Sequence, residues 1–188
     1  LTQTTDSQNG ITTYGWDARG NLISKTNGAA TTSYSWRSDN RLLSITQGST
    51  KVVYAYNPLG HRIKRYVVQG GITTRTHYQI DSQRPYAEIV AESIQVGNGA
   101  WNAQSNHFTP SGIGELLQST SAGQTQQIYA DAQGSTRLVL DAQGNAVALS
   151  YDAFGVDLNN SASGISHRYN GEYLDQASGL IHLRARDY

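Results

Sequence analysis

The sequence has no cysteine and no methionine among its 188 residues, only three prolines and two phenylalanines, and only 15% charged residues. Without cysteine there is no disulfide framework, no thiolate metal site and no cysteine nucleophile. Charge this sparse, against roughly 25% in an average domain, is also balanced, with 14 basic and 14 acidic residues. No electrostatic footprint suits a phosphate backbone, so nucleic acid is not an expected partner. No apolar run approaches the roughly 20 residues of a membrane-spanning helix, and the opening LTQTTDSQNG lacks the basic and apolar regions of a signal peptide. The chain starts on Leu1 and contains no methionine, so it is expected to be a piece of a longer polypeptide.

What is present is a repeat. YGWDARGNLISKT from Tyr14, YSWRSDNRLLSIT from Tyr34 and YAYNPLGHRIKRY from Tyr54 align at a step of 20 residues. Trp16, Trp36 and Tyr56 stand in register, as do Gly20, Asn40 and Gly60, and then Leu22, Leu42 and Arg62. Such periodicity is settled before any local motif is read. Tyr-x-Trp puts two aromatic rings on one face of a strand, because strand side chains alternate. DARG then supplies an acid to open a turn at Asp17 and a glycine at Gly20 to take the left-handed position. Asn40, in the glycine column, is the next best residue for that geometry. The pairs Asn27–Gly28 and Gln47–Gly48 and the run Gln69 to Gly71 mark a second turn in each unit. Glycine, asparagine and threonine recur too often for a helical stripe to survive. The expected fold is all-β, an antiparallel hairpin meander whose twelve tyrosines suit a half-buried sheet.

Three regions follow. Residues 1–94 carry the repeats, with Pro85 at an edge or turn. Residues 95–126 break the period and are expected to be a loop-rich insertion. Residues 127–188 resume a faster beat, with acid-x-x-Gly turns at Asp131 and Gly134, Asp141 and Gly144, and Asp152 and Gly155. Ser161 to Gly164 reads as a surface loop. So long a sheet must cover or pair its two edges, which implies neighbouring repeats.

Chemical motifs are few. His61, His77, His107, His167 and His182 lack the paired spacing of a zinc site, and DAQGS and DAQGN lack the acid pattern of a calcium loop. No metal and no cofactor is expected. No GxSxG or phosphate loop occurs, and SGIGE has the wrong spacing. Asn159 opens an NNS sequon, of consequence only in a secreted eukaryotic protein. Trp16 and Trp36 are expected to pack in register along the sheet, which leaves Trp101 as the candidate carbohydrate contact.

The repeat YxWDxxGNL resembles the tyrosine-aspartate repeat of the Rhs family. YADAQGSTRLVLDAQGNAVALSYDAFGV followed by RYNGEYLDQASGLIHLRARDY is similar to the Rhs-associated core that closes such arrays. The resemblance implies a spiral β-shell, related to insecticidal toxin complex C proteins and teneurins, that encapsulates a variable C-terminal toxin. Implied partners are the remaining repeats, that toxin and a secretion-system or toxin-complex component; the implied location is secreted, delivered, or on the bacterial surface. An extracellular repeat surface that binds carbohydrate or a receptor is the alternative. Bacterial members also cut themselves after the core with a pair of aspartates, of which the first matches Asp175 and the second lies in a DP segment that this chain does not contain. The chain departs from the pattern at Asp187, where a second aromatic is usual, and at Ala177, where glutamate is usual. Arg37 and Asn57 in the aspartate column argue that the repeat acid serves a turn.

Asp175 thus has two readings, an acid of self-cleavage or the opener of a tight turn ending at Gly179, with Gly171 just upstream as another turn residue. GLIHLRARDY alternates, so one half-buried strand is expected, with Ile181, Leu183 and Ala185 on one face and His182, Arg184 and Arg186 on the other. Those arginines would either orient carboxylates or remain solvated.

Overall fold

A computed structural model of the chain describes residues 2–6, 10–83, 87–108, 116–121, 123–159, 164–183 and 186–188. Pro85, Ser161, SGIGE, Arg184 and Ala185, singled out above, lie outside these residues. The described chain is all-β with one short 3₁₀ turn at Tyr169–Gly171. Fourteen strands form one antiparallel meander in which spatial order equals chain order. They are β1 (Gln3–Asp6), β2 (Gly10–Trp16), β3 (Leu22–Asn27), β4 (Ala30–Trp36), β5 (Leu42–Gln47), β6 (Thr50–Tyr56) and β7 (Arg62–Gln69). There follow β8 (Ile72–Asp81), β9 (Glu88–Val96), β10 (Asn102–Phe108), β11 (Gln118–Ser121), β12 (Gln124–Ala130), β13 (Thr136–Asp141) and β14 (Ala146–Ala148). A second, three-stranded sheet holds β15 (Tyr173–Asp175), β16 (Leu180–Leu183) and β17 (Arg186–Asp187).

Each repeat makes one strand pair with the same irregularity. Tyr14 faces Lys25 and Trp16 faces Leu22; Tyr34 faces Ile45 and Trp36 faces Leu42; Tyr54 faces Arg65 and Tyr56 faces Arg62. The register shifts each time just before the second aromatic, so one residue of the following strand is extra. Such a bulge re-aims side chains. It lets Leu42 and Ile45, three residues apart, point into the same core, where they are 1% and 5% exposed. The second aromatic then reaches back one unit: Trp36 Nε1 donates to the carbonyl of Leu22 at 2.7 Å, and Tyr56 Oη to that of Leu42 at 2.7 Å.

The acid-x-x-Gly turns share one geometry. The N–H of Gly20, Asn40, Gly60, Gly134, Gly144 and Gly155 donates to the carbonyl three residues earlier. Gly20 and Asn40 sit at φ of 82° and 60°, the left-handed region that the turn requires. Asp17 Oδ1 accepts from the N–H groups of Arg19 and Asn21 at 2.9 and 2.8 Å. Asp131, Asp141 and Asp152 cap their turns in the same way. Asn57 does so toward His61. The shorter turns differ by one residue from the sequence reading. Asn27 pairs with Ala30 and Gln47 with Thr50, so Gly28–Ala29 and Gly48–Ser49 form the loops. Glycine leads each of them because its positive φ matches the twist of a two-residue hairpin.

Residues 95–126, read from the sequence as loop-rich, hold the end of β9 and all of β10 and β11, and carry the ladder on to β12. The aromatic period fails there, but ladder pairing needs only backbone groups, and polar Asn, Gln, Ser and Thr residues supply those equally well. The final stretch departs further. GLIHLRARDY does not form one strand: β16 and β17 run antiparallel, with His182 opposite Asp187. The burial is also the reverse of the apolar-inward expectation, with His182 at 7% exposure and Leu183 at 38%.

Apolar residues gather in three clusters. One joins Leu116, Ile128, Val139, Leu149 and Ile165. The second joins Leu42, Ile45, Val52 and Tyr54 and takes Leu180 from the small sheet. The third joins Tyr78 and Ile89 to Tyr173, again from the small sheet. The small sheet is thereby laid across the repeats. Its lead-in is tied to β13 and the turn before it: Thr136 N–H donates to the Arg168 carbonyl at 3.0 Å, Thr136 Oγ1 to that of His167 at 2.9 Å, and Asn170 N–H to Ser135 Oγ at 2.9 Å. Arg168 is pinned in turn by Asp157 at 2.9 Å.

Candidate functional site

The small sheet brings two carboxylates to the third repeat. Asp175, at the end of β15, is wholly buried. Its Oδ1 accepts from Arg65 at 2.6 Å and from the Ala177 N–H at 3.0 Å. Its Oδ2 accepts from Tyr54 Oη at 2.8 Å and lies 3.5 Å from Arg62. A carboxylate offers about four acceptor positions, and four donors converge on this one. Its own carbonyl closes the DQASG turn, accepting from Ser178 and from Gly179, whose φ is 71°. Upstream, Gly171 at φ of 69° closes the 3₁₀ turn on the Arg168 carbonyl.

Asp187 makes the second connection, pairing with Arg62 and with His182 Nδ1 at 3.1 Å. Burial pushes its carboxyl up, but the His182 hydrogen bond and the Arg62 charge prevail and hold it below the usual carboxylate range. Burial pulls the His182 imidazole down, against the opposing pull of Asp187, which favours the neutral ring. Burial, and then the Asp175 charge, push the Tyr54 hydroxyl far up, so it remains a donor. Arg62 is 1% exposed and lies with its Cζ 3.9 Å from the Tyr54 ring centroid. Burial opposes its charge, but Asp187 and the neighbouring groups outweigh that cost. Arg65 also reaches Thr76 Oγ1 at 3.1 Å. Among the described residues, neither Nε atom of the two arginines finds an acceptor. Beside the junction His61, His167, His182, Glu88 and Tyr173 border a cavity of about 40 Å3, room for about one water.

The chemistry this arrangement supports is docking. Truncating one member of a buried, hydrogen-bonded ion pair costs about 3–5 kcal/mol, because the partner charge is stranded. Asp175 accepts from three side chains of the repeats and from a peptide N–H of its own turn, the donor set of a carboxylate that holds two elements together. Among the described residues no three or more histidine, aspartate or glutamate side chains gather as a metal site.

Of the residues singled out from sequence, Asp175 lies at the junction and the turn aspartates lie away from it. Arg186 is exposed and points to Tyr188 Oη at 3.4 Å. Trp101 is 42% exposed and rests its ring on His77, with centroids 4.0 Å apart. The junction's other members, Tyr54, Arg62, Arg65, His182 and Asp187, were not read as a site. One signal was present: the register column that runs Leu22, Leu42 ends in Arg62, and the column that runs Lys25, Ile45 ends in Arg65. The two positions that are aliphatic and buried in the second repeat are thus both cationic in the third.

Comparison with known proteins agrees with this architecture. Residues 1–32 match the RHS Repeat family. The chain is 29% identical over 187 residues to the tRNA3(Ser)-specific nuclease WapA of Bacillus spizizenii, covering 97% of this chain and 7% of that protein. Among solved structures, TcdB2-TccC3 aligns over the whole chain with a TM-score of 0.59 at 17% identity, covering 12% of that chain. The Photorhabdus luminescens Tc holotoxin pore aligns over 95% of the chain with a TM-score of 0.61 at 17% identity, covering 11% of that chain. The chain therefore spans a small part of each relative. Residues 1–32 thus match an RHS repeat, and the whole chain shares its strand meander with the shell-forming region of these solved structures.

Proposed function

We propose that the chain is a wall segment of an RHS shell that encloses a C-terminal toxin domain of the same polypeptide, with β15–β17 as part of the closure. The observation that carries this reading is the small sheet folded back over the repeats and held there by buried arginine–aspartate pairs. Among the described residues the two outer strands, β1 and β14, each pair on one side only, and further repeats would cover those edges. In this reading residues 1–94 are repeats, residues 127–188 are the closing core, and the intact protein acts outside the cell that makes it. The stretch itself contributes architecture, and Asp175 serves docking. The test is limited proteolysis of the longer polypeptide. A C-terminal domain protected until the shell is opened supports enclosure, and one digested as readily as the same domain alone refutes it. Self-cleavage through Asp175 has its own measurement, the intact mass of that polypeptide: cutting abolished by Asp175→Asn would overturn a purely docking role.

A second reading, a carbohydrate-binding surface, is favoured by one observation, the exposed ring of Trp101 braced on His77. Glycan-array binding lost in Trp101→Ala supports it. No binding by the unmodified chain at high concentration removes it.

A further inference from the structure

We propose that Arg62 and Arg65 are an address, selecting the one repeat on which the small sheet docks. The repeats present register-equivalent pairs of positions, made by the same bulge: Leu22 and the exposed Lys25, then Leu42 and Ile45, then Arg62 and Arg65. A flat docking partner facing such an array meets similar ground every two strands, about 10 Å apart. The small sheet straddles two units. Leu180 joins the cluster of Leu42, Ile45, Val52 and Tyr54, while Asp175 and Asp187 reach Arg62 and Arg65 in the next.

Sliding one repeat toward β1 would set Leu180 against Leu22 and Lys25, and both carboxylates against Leu42 and Ile45. Steric walls do not forbid that slide. Open grooves of about 480 and 490 Å3 lie beside Leu180, over Lys25, Thr32 and Tyr34 on one side and over Trp16, Leu22 and Trp36 on the other. What opposes it is chemistry, since two carboxylates would be buried against aliphatic side chains with no guanidinium group to balance their charge. Arginine is also a poor choice if packing alone were needed. Among the described residues both Nε atoms lack an acceptor, whereas leucine and isoleucine fill the preceding positions with no polar group to satisfy. Fixing register among similar alternatives is the best-attested use of a buried polar pair.

The chain has no cysteine, so cysteines introduced at Ser38 and Gln176 carry spin labels cleanly, and the distance between them reports where the small sheet sits. The unmodified chain gives a single distance. Arg62→Leu with Arg65→Ile, which restores the second repeat's own residues, spreads the distribution to include the neighbouring register. Adding Leu42→Arg and Ile45→Arg moves the main peak to a distinct distance, by up to the displacement of about 10 Å that two strand spacings set. A four-site variant that keeps the native distance overturns the proposal. Should that variant not fold, the two-site variant decides alone: one narrow native distance overturns the address. Release of the small sheet with no population at the neighbouring repeat shows a latch without an address, and overturns it equally.

Discussion

Replacing Asp175 by asparagine isolates the junction better than any other single change. The side chain keeps its shape, but one oxygen becomes an amide nitrogen with two donors, facing groups that also donate. Four donors now meet at the carboxylate, from Arg65, Ala177, Tyr54 and Arg62, and two of them belong to guanidinium groups that stay charged. Stranding a buried partner costs about 3–5 kcal/mol. The loss has a natural ceiling, because the small sheet can lift away and return both arginines to water while the meander stays intact. At about 1.4 kcal/mol per tenfold, the expected effect is an increase on the order of 10²- to 10³-fold in hydrogen exchange of the β15–β17 amides, with β2–β7 almost unchanged. Gln176→Ala, an exposed neighbour in the same turn, should leave exchange as it was. If Asp175→Asn leaves β15–β17 as protected as before, the ion pairs do not hold the sheets together and the account of the junction is wrong.

Acid should loosen the same contact in two stages. His182 and Asp187 both titrate lower when docked than when free, so the released state binds more protons as pH falls. Docking strength is then full above about pH 6.5, declines below it as His182 protonates on release, and falls again below about pH 4 with Asp187; protection of the β15–β17 amides, taken relative to their intrinsic exchange rates at each pH, that rises toward acid would contradict this. Trp36→Phe and Tyr56→Phe each remove the donor that ties one repeat to the last, and each should cost about 1 kcal/mol in urea unfolding. Equal stability to the parent in both would mean those bonds are not felt. Gly155→Ala and Gly144→Ala share a positive φ, but only the first sets a Cβ 2.8 Å from the Tyr169 ring. A loss of about 1 kcal/mol is expected at Gly144 from backbone strain, and a clearly larger one at Gly155. Equal losses would show that the ring yields freely.

The meander was legible because local rules repeat. Tyr-x-Trp, an acid-capped turn and a glycine hairpin recur every 20 residues, and each unit can be read without knowing what it touches. Three features were not legible, each for its own reason. The strands at 102–108 and 118–121 carry no aromatic period, and backbone pairing leaves no mark on side-chain pattern. In GLIHLRARDY the residues that go inward are His182 and Asp187, with Leu183 turned out, because the repeats offer Arg62 to Asp187 beside His182. Which face of a strand is inward depends on what it meets. The junction itself needed a comparison across columns: Arg62 and Arg65 look like ordinary surface charge until they are set against Leu42 and Ile45.

The strict agreement between chain order and spatial order carries a consequence for how the molecule is made. Every strand of the large sheet pairs only with its sequence neighbours, a low contact order that favours fast assembly by zippering. Such a sheet can grow vectorially, one hairpin at a time, as the polypeptide emerges from a ribosome or a narrow passage. The bonds from Tyr54, Arg62 and Arg65 to Asp175 and Asp187 are different in kind, joining residues 110 to 125 positions apart. They form only after every intervening strand has been laid down. They therefore set the small sheet in place only once the ladder between β6 and β14 is complete.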